Sequence, residues 1–201
     1  MWNFGYLSAA NLFVLWHIDA QGKLVKVGKV NADPMTMVHD FIVTKNHLVL
    51  LLPPFNFDAS GTGTFLESHN WQPDEPTRVL VVDKNDFDNH YWLESPSQWV
   101  FHFGNGWEDD QGVIRFDAAR ADDPLVMINT FRDVMRGHVG EGGTSHHHHY
   151  RIDTKRKKIT EAPMFGPNFD SEFPCIDPRV SCRQNDRLFM LSHTQSKPVV
   201  Q

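Results

Sequence analysis

A short pattern recurs along the chain: an apolar run ends in Asp, a charged or glycine-containing turn follows, and a second β-rich run returns. Residues 13–27 (FVLWHIDAQGKLVKV) show it first, residues 77–88 (TRVLVVDKNDFD) show part of it, and residues 148–160 (HHYRIDTKRKKIT) show it again. Asp starts turns because its carboxylate accepts hydrogen bonds from backbone N–H groups just ahead of it, so each segment reads as a β-hairpin. Further β-rich runs lie between them, at 39–53 (HDFIVTKNHLVLLLP), 97–103 (SQWVFHF), 112–118 (GVIRFDA) and 187–193 (RLFMLSH). The pattern predicts an all-β fold of stacked antiparallel meanders, the arrangement of propeller blades. Helical periodicity is confined to residues 124–137 (PLVMINTFRDVMRG), where a short helix is expected. The Pro- and Gly-rich stretches at 53–63 and 139–144 are followed by strand patterns of the same kind, so they read as loops and residues 1–201 as a single domain.

Composition narrows the function classes. The net charge is −6, and Lys and Arg are scattered except for a run at 155–158, which reads as a solvated hairpin turn. No broad basic face is available for a phosphate backbone, so nucleic acid is not an expected partner. The two cysteines, Cys175 and Cys182, are too few for a disulfide framework and lack the paired spacing of a structural zinc site. A reducing, cytoplasmic setting is the simplest expectation. No run of 18 apolar residues exists and residues 1–20 lack a basic start, so a soluble chain without a signal peptide is expected. No amphipathic segment argues for membrane contact.

Histidine is abundant, with twelve copies. His17, His47, His69, His90, His138 and His193 stand in turns, at strand ends or in polar surroundings, with no second ligand at a defined spacing, and read as surface or hydrogen-bonded residues. The run His146 to His149 reads as a solvated loop or the beginning of a strand, whose alternating side chains cannot all meet one ion. His39 (MVHDFIVT) and His102 (WVFHFGNGWE) stand apart, because each sits in an apolar, strand-like run where an unpaired imidazole would be costly. Metal coordination or a fixed hydrogen bond would offset that cost. They are 63 positions apart and so belong to different meanders.

The words around these histidines resemble the carotenoid cleavage oxygenases, a family that includes lignostilbene dioxygenases and retinoid isomerohydrolases. MVHDFIVT is similar to its Met-x-His-Asp-Phe-x-x-Thr block, VFHFGNGWEDD to its Phe-His-x-x-Asn-Ala-x-Glu block, and SEFPCIDPRVSCR to its Glu-Phe-Pro-x-Ile-Asp-x-Arg-x-x-Gly-Arg block. WNFGY followed by LWHIDAQGKLVK resembles the segment just after the family's first iron-binding motif. The resemblance implies a partial propeller, about three to four blades of a seven-bladed fold whose axis holds Fe(II) on four histidines. It implies O2-dependent cleavage of a C=C bond in a carotenoid, apocarotenoid or stilbene-like substrate. His39 matches the second iron ligand, His102 the third, and Glu172 one of the glutamates that hydrogen-bond to a ligand histidine. Neutral imidazoles leave open positions on a metal, and carboxylates fix the ring tautomer.

The departures are specific. The first and fourth ligands have no counterpart; His193 follows the SEFPCIDPR block too closely and lacks the Phe-His-Gly context of the fourth. His146 stands near a position where another glutamate is usual, Gly106 where Ala is usual, and Cys182 where Gly is usual. The family chain is more than twice as long, which makes this a middle segment with exposed blade edges through which copies could associate. The rival reading is therefore a truncated, catalytically silent binding protein or an incomplete gene model. A propeller hydrolase on another divalent ion would need a ring of Asp, Asn and Glu, and no such set is visible. Asp40 and Glu108, beside the two histidines, read as loop-fixing residues rather than acids or bases. Phe55, Phe57, Phe101, Phe103 and Trp107 are candidates for an apolar tunnel, against the alternative of ordinary core packing.

Overall fold

Every Asp-initiated turn closes a hairpin in the computed structural model, which describes residues 1–58, 60, 63–138 and 143–194. β1 (Trp2–Leu7), β2 (Leu12–Ile18) and β3 (Leu24–Asn31) form an antiparallel sheet in that order. At the β2–β3 turn Asp19 Oδ1 accepts the backbone N–H groups of Gln21 and Lys23, both at 2.9 Å. β4 (Ile42–Val43) and β5 (His47–Leu52) begin the second sheet. β6 (Phe55–Phe57) and β7 (His69–Trp71) then form a small hairpin of their own, and β8 (Thr77–Asp83) and β9 (His90–Ser95) complete the sheet in the order β4-β5-β8-β9.

The third sheet is β10 (Trp99–Glu108), β11 (Val113–Ala121), β12 (His146–Asp153) and β13 (Lys158–Pro163), again in sequence order. Asp109 and Asp153 begin its two tight turns in the same way as Asp19. β14 (Phe169–Cys175) pairs with β15 (Phe189–Thr194). The architecture is a partial β-propeller: two four-stranded blades flanked by a three-stranded and a two-stranded sheet, with no closed ring among the described residues. The predicted helix occupies part of its segment, as a wide π-helical turn (Val126–Phe131) running into the short α1 (Arg132–Met135).

The apolar runs of β5 and β8 are continuous rather than alternating because the second blade is covered on both faces. Leu48, Leu50, Leu52, Leu80 and Val82 pack toward the first blade with Phe13 and Leu15. Their strand neighbours Val49, Leu51, Val79 and Val81 pack toward the third with Ile114, Phe116, Tyr150 and Ile152. With a side-chain period of two, a strand apolar at every position feeds two cores at once. Each such buried aliphatic side chain contributes about 1.5–3 kcal/mol of transfer free energy.

The histidine run begins β12, as one of the two readings allowed, but it is not a solvated run. His147 and His148 are buried, because their cross-strand neighbours on β11 are the small Ala119 and Ala118. His147 Nε2 lies 2.7 Å from Asp117 Oδ1, and burial, reinforced by the Arg120 charge, pushes the His148 imidazole down to about 4. His69, read as a surface or hydrogen-bonded residue, is the latter: it is buried, enclosed by Phe55, Phe57 and Phe65, with its Nδ1 donating to the Phe65 carbonyl at 2.7 Å.

Gly106 has a packing reason. A Cβ there would stand 2.3 Å from Ile42 Cγ2, where β10 passes β4. Gly106→Ala is expected to cost about 1–3 kcal/mol by urea denaturation, and less in an Ile42→Ala background, since the clash is with that side chain.

Candidate metal centre

His39 lies in an extended segment just before β4, and His102 lies within β10. The structure brings the two rings together, with centroids 5.2 Å apart and planes at 85°. The means is a side-chain clasp between the inner edges of two blades. His39 Nδ1 donates to the carbonyl of Phe101 at 3.1 Å, and Asp40 Oδ2 accepts the N–H of Phe103 at 3.1 Å. Both bonds fall on the residues flanking His102, in a stretch where the β10–β11 register shifts on either side of Phe103. The side chains of residues 39 and 40 thus bind backbone groups on both sides of His102, where the ladder is irregular. Asp40 Oδ1 also caps the Phe41 N–H at 2.8 Å, which bears out its reading as a loop-fixing residue.

His102 is oriented from the other side. Its Nδ1 donates to Glu172 Oε2 at 2.9 Å, and the same oxygen accepts the Phe173 N–H at 2.8 Å. Phe173 holds φ at +54°, a left-handed conformation uncommon for an aromatic residue, at a bulge between Glu172 and Cys175 in the β14–β15 pairing. Its ring rests 4.8 Å from the His102 ring. With each Nδ1 engaged as a donor, each imidazole presents the lone pair of Nε2, and neither Nε2 has a hydrogen-bond partner among the described residues. The pair could therefore supply two nitrogen ligands to one ion. No group of three or more His, Cys, Asp or Glu is arranged to hold a metal among the described residues.

Burial is not what singles these histidines out. His39 is exposed and His102 half-buried, so the cost of an unpaired buried imidazole, argued from the apolar runs, does not apply. Buried members of those runs include the neighbours Val38, Phe101 and Phe103. His102 instead lines an apolar cavity of about 310 Å³ with Trp99, Phe101, Ala121, Val126 and Phe173. Of the five tunnel candidates, only Phe101 reaches it. Phe55 packs in the core beneath, Phe57 against the core between the first two blades, and Phe103 in the core between the second and third. Trp107 lines a separate cavity. Trp99 was legible, since it stands two residues before Phe101 on one strand and so shares its face; Phe173 depends on its unusual backbone and carries no such signal.

Glu108 is a structural hub. It accepts from the Thr44 hydroxyl, from the Asn46 N–H at 2.9 Å and Asn46 Nδ2 at 2.5 Å, and from His47 Nδ1 at 3.0 Å. Burial alone would raise its carboxyl, but these donors prevail and hold it down at about 2. Cys182, standing where glycine is usual in the resembling motif, has φ of +63°, and its Sγ donates to the Val43 carbonyl at 3.1 Å, a bond that helps hold a side chain in this backbone shape. His146 does not adjoin the histidine pair's polar network; its Nδ1 faces the Phe169 carbonyl at 3.2 Å. His193 lies on β15 opposite Asp170, and its side chain is outside the described residues.

The sequence model of one family, RPE65 or retinal pigment epithelial membrane protein, matches residues 1–201. The chain belongs to this carotenoid oxygenase family. Among curated carotenoid oxygenases, carotenoid cleavage oxygenase 1 of Neurospora crassa is 26% identical over 171 residues, 84% of this chain and 32% of that protein. The solved lignostilbene dioxygenase of Pseudomonas brassicacearum is similar with a TM-score of 0.77 at 24% identity, over 94% of this chain and 39% of that one. A cobalt-substituted apocarotenoid oxygenase of Synechocystis gives 0.76 at 19% identity, over 95% and 40%. The chain thus spans about a third of the length of that curated carotenoid oxygenase.

Two outcomes test the site's framework. Glu108 has a folded-state value below its ordinary 4.5, so its stabilising effect is full above that pH and is lost as pH falls toward about 2. The thermal midpoint should drop over that window in the wild type and change less in Glu108→Gln, followed by circular dichroism. Asp40→Ala strands the Phe103 and Phe41 N–H groups and should cost about 1–3 kcal/mol in chemical denaturation.

Proposed function

We propose that this chain supplies His39 and His102 to the non-haem Fe(II) centre of a dioxygenase that cleaves a C=C bond in a carotenoid, apocarotenoid or stilbene-like substrate. The observation that carries the reading is the paired imidazoles, each Nε2 freed for a ligand by a fixed Nδ1 donor bond, with His102 lining an apolar cavity. The donor set fits ferrous iron as far as it goes, since imidazole is a common ligand for iron and two ligands leave positions for others. Iron, when bound, would supply the activation of O2. The protein's own residues orient and enclose: Phe101 and Glu172 fix the ring tautomers, Asp40 holds the spacing, and Trp99, Phe101 and Phe173 offer an apolar wall to a conjugated substrate. Membership of the family, with relatives named for carotenoid, apocarotenoid and stilbene oxygenation, supports the reaction class.

The test is metal binding by the purified chain under anaerobic Fe(II) or Co(II) reconstitution, with oxygen uptake measured against apocarotenal and stilbene substrates. The expected result is binding that is lost in His39→Ala and in His102→Ala, and weakened about 10–100-fold in Glu172→Gln, where the neutral amide is a poorer acceptor for the His102 N–H. Iron content below about 0.1 per chain, together with no oxygen uptake, overturns the proposal.

A further inference from the structure

We propose that two copies of this chain dock head to tail into one closed ring, so that the histidine pairs of both copies serve one metal ion. The inference rests on the iron reading of that pair and adds the partner that completes it. Each chain brings two imidazoles, and no third His, Cys, Asp or Glu joins them among the described residues. Protein metal centres usually take three or four protein ligands, a number that two pooled pairs reach. The docking faces stand at the two ends of the arc of blades. Phe13, Leu15 and Val30 turn one face of the β1–β3 sheet toward the second blade. With a side-chain period of two, Leu12, Val14, Trp16, Val25 and Val27 lie on the other face, with Leu7 across from Leu12. On that face Leu7, Val25 and Val27 are exposed, and Leu12, Val14 and Trp16 are half-buried. At the opposite end, Phe189 and Leu191 share one face of β15, Phe173 sits at the neighbouring bulge, and all three are exposed. Large apolar side chains grouped in this way mark an association surface.

A second copy is the occupant that fits both ends. Propellers close at roughly four to eight blades, and one chain supplies two full blades and two partial ones, about half a ring. A half-turn about the axis sets the β1–β3 face of each copy against the β14–β15 sheet of the other, closes the ring, and forms the same contact twice. Charge agrees with this pairing. Among the strand positions on the β1–β3 face the one ionised side chain is Lys29, whereas β14 carries Asp170 and Glu172 on the face of Leu191. A lipid surface would cover one end of the arc and leave the other bare. Asp170 and Leu191 also line the cavity beside His102, so the docked blade walls one side of it.

The experiment is sedimentation velocity on the purified chain, with and without Co(II), alongside metal content per chain. The expected result is a dimer that takes up one ion per two chains. Val27→Glu sets a carboxylate against the acidic face of β14, and Phe189→Lys sets an ammonium against Lys29. Each variant alone should be monomeric with an unchanged circular dichroism spectrum, and should bind Co(II) at least about tenfold more weakly. Mixing the two variants should restore the dimer, because one contact of the ring then pairs Glu with Lys and the other is wild type. A dimer joined through like faces would not be rescued. A monomeric wild type, a dimer that survives either variant, no rescue on mixing, or one ion per chain overturns the inference and leaves the iron reading standing. A dimer that passes the mixing test yet takes up neither Fe(II) nor Co(II) overturns the iron reading, and with it the shared site.

Discussion

The clasp of His39 and Asp40 on β10 is the contact on which the candidate centre depends. Hydrogen-bond ladders join strands within a blade and stop at its faces, so neighbouring blades meet mainly through side chains. Residues 39 and 40 cross that boundary with two directed bonds, one to a carbonyl and one to an N–H, on either side of His102. Glu108 makes a second crossing near the other end of β10, gathering Thr44, Asn46 and His47 from the neighbouring blade. Between these two ties, Gly106 lets β10 approach Ile42. The strand that carries His102 is thus fixed to the blade that follows His39 at three places.

How legible this was in the sequence depends on the range of the interaction. The hairpins were readable because an Asp carboxylate and the N–H groups it accepts lie within four residues of one another. The two-faced burial of β5 and β8 was implicit in unbroken runs such as HLVLLL, though a run of that kind does not say which blades cover it. His39, His102 and Glu172 came from resemblance to family motifs, and their convergence involves separations of 62 and 70 residues, which no local pattern specifies. Local apolarity misled where it was used as a proxy for burial: His39 is exposed among buried neighbours, whereas His147, in a polar run, is buried against Ala119 and Asp117.

The region around Phe173 combines several exceptions in a few residues. A bulge, a left-handed aromatic residue and a carboxylate with two donors on one oxygen all serve to hold Glu172 against His102. Local strain of this sort costs about 1–3 kcal/mol and persists where its surroundings over-determine it. Here the surroundings are the His102 ring, the cavity wall and the paired strand β15.

Because His39 leads into one blade and His102 belongs to the next, the distance between their Nε2 atoms is a gauge of how the two blades sit against each other. The aliphatic layer shared by β5, β8, β11 and β12 sets that spacing from a distance. Side chains that never approach the histidines therefore bear on the spacing of the pair, and repacking the interior between the blades is a route by which the two imidazoles could shift relative to each other while every residue at the site stays the same.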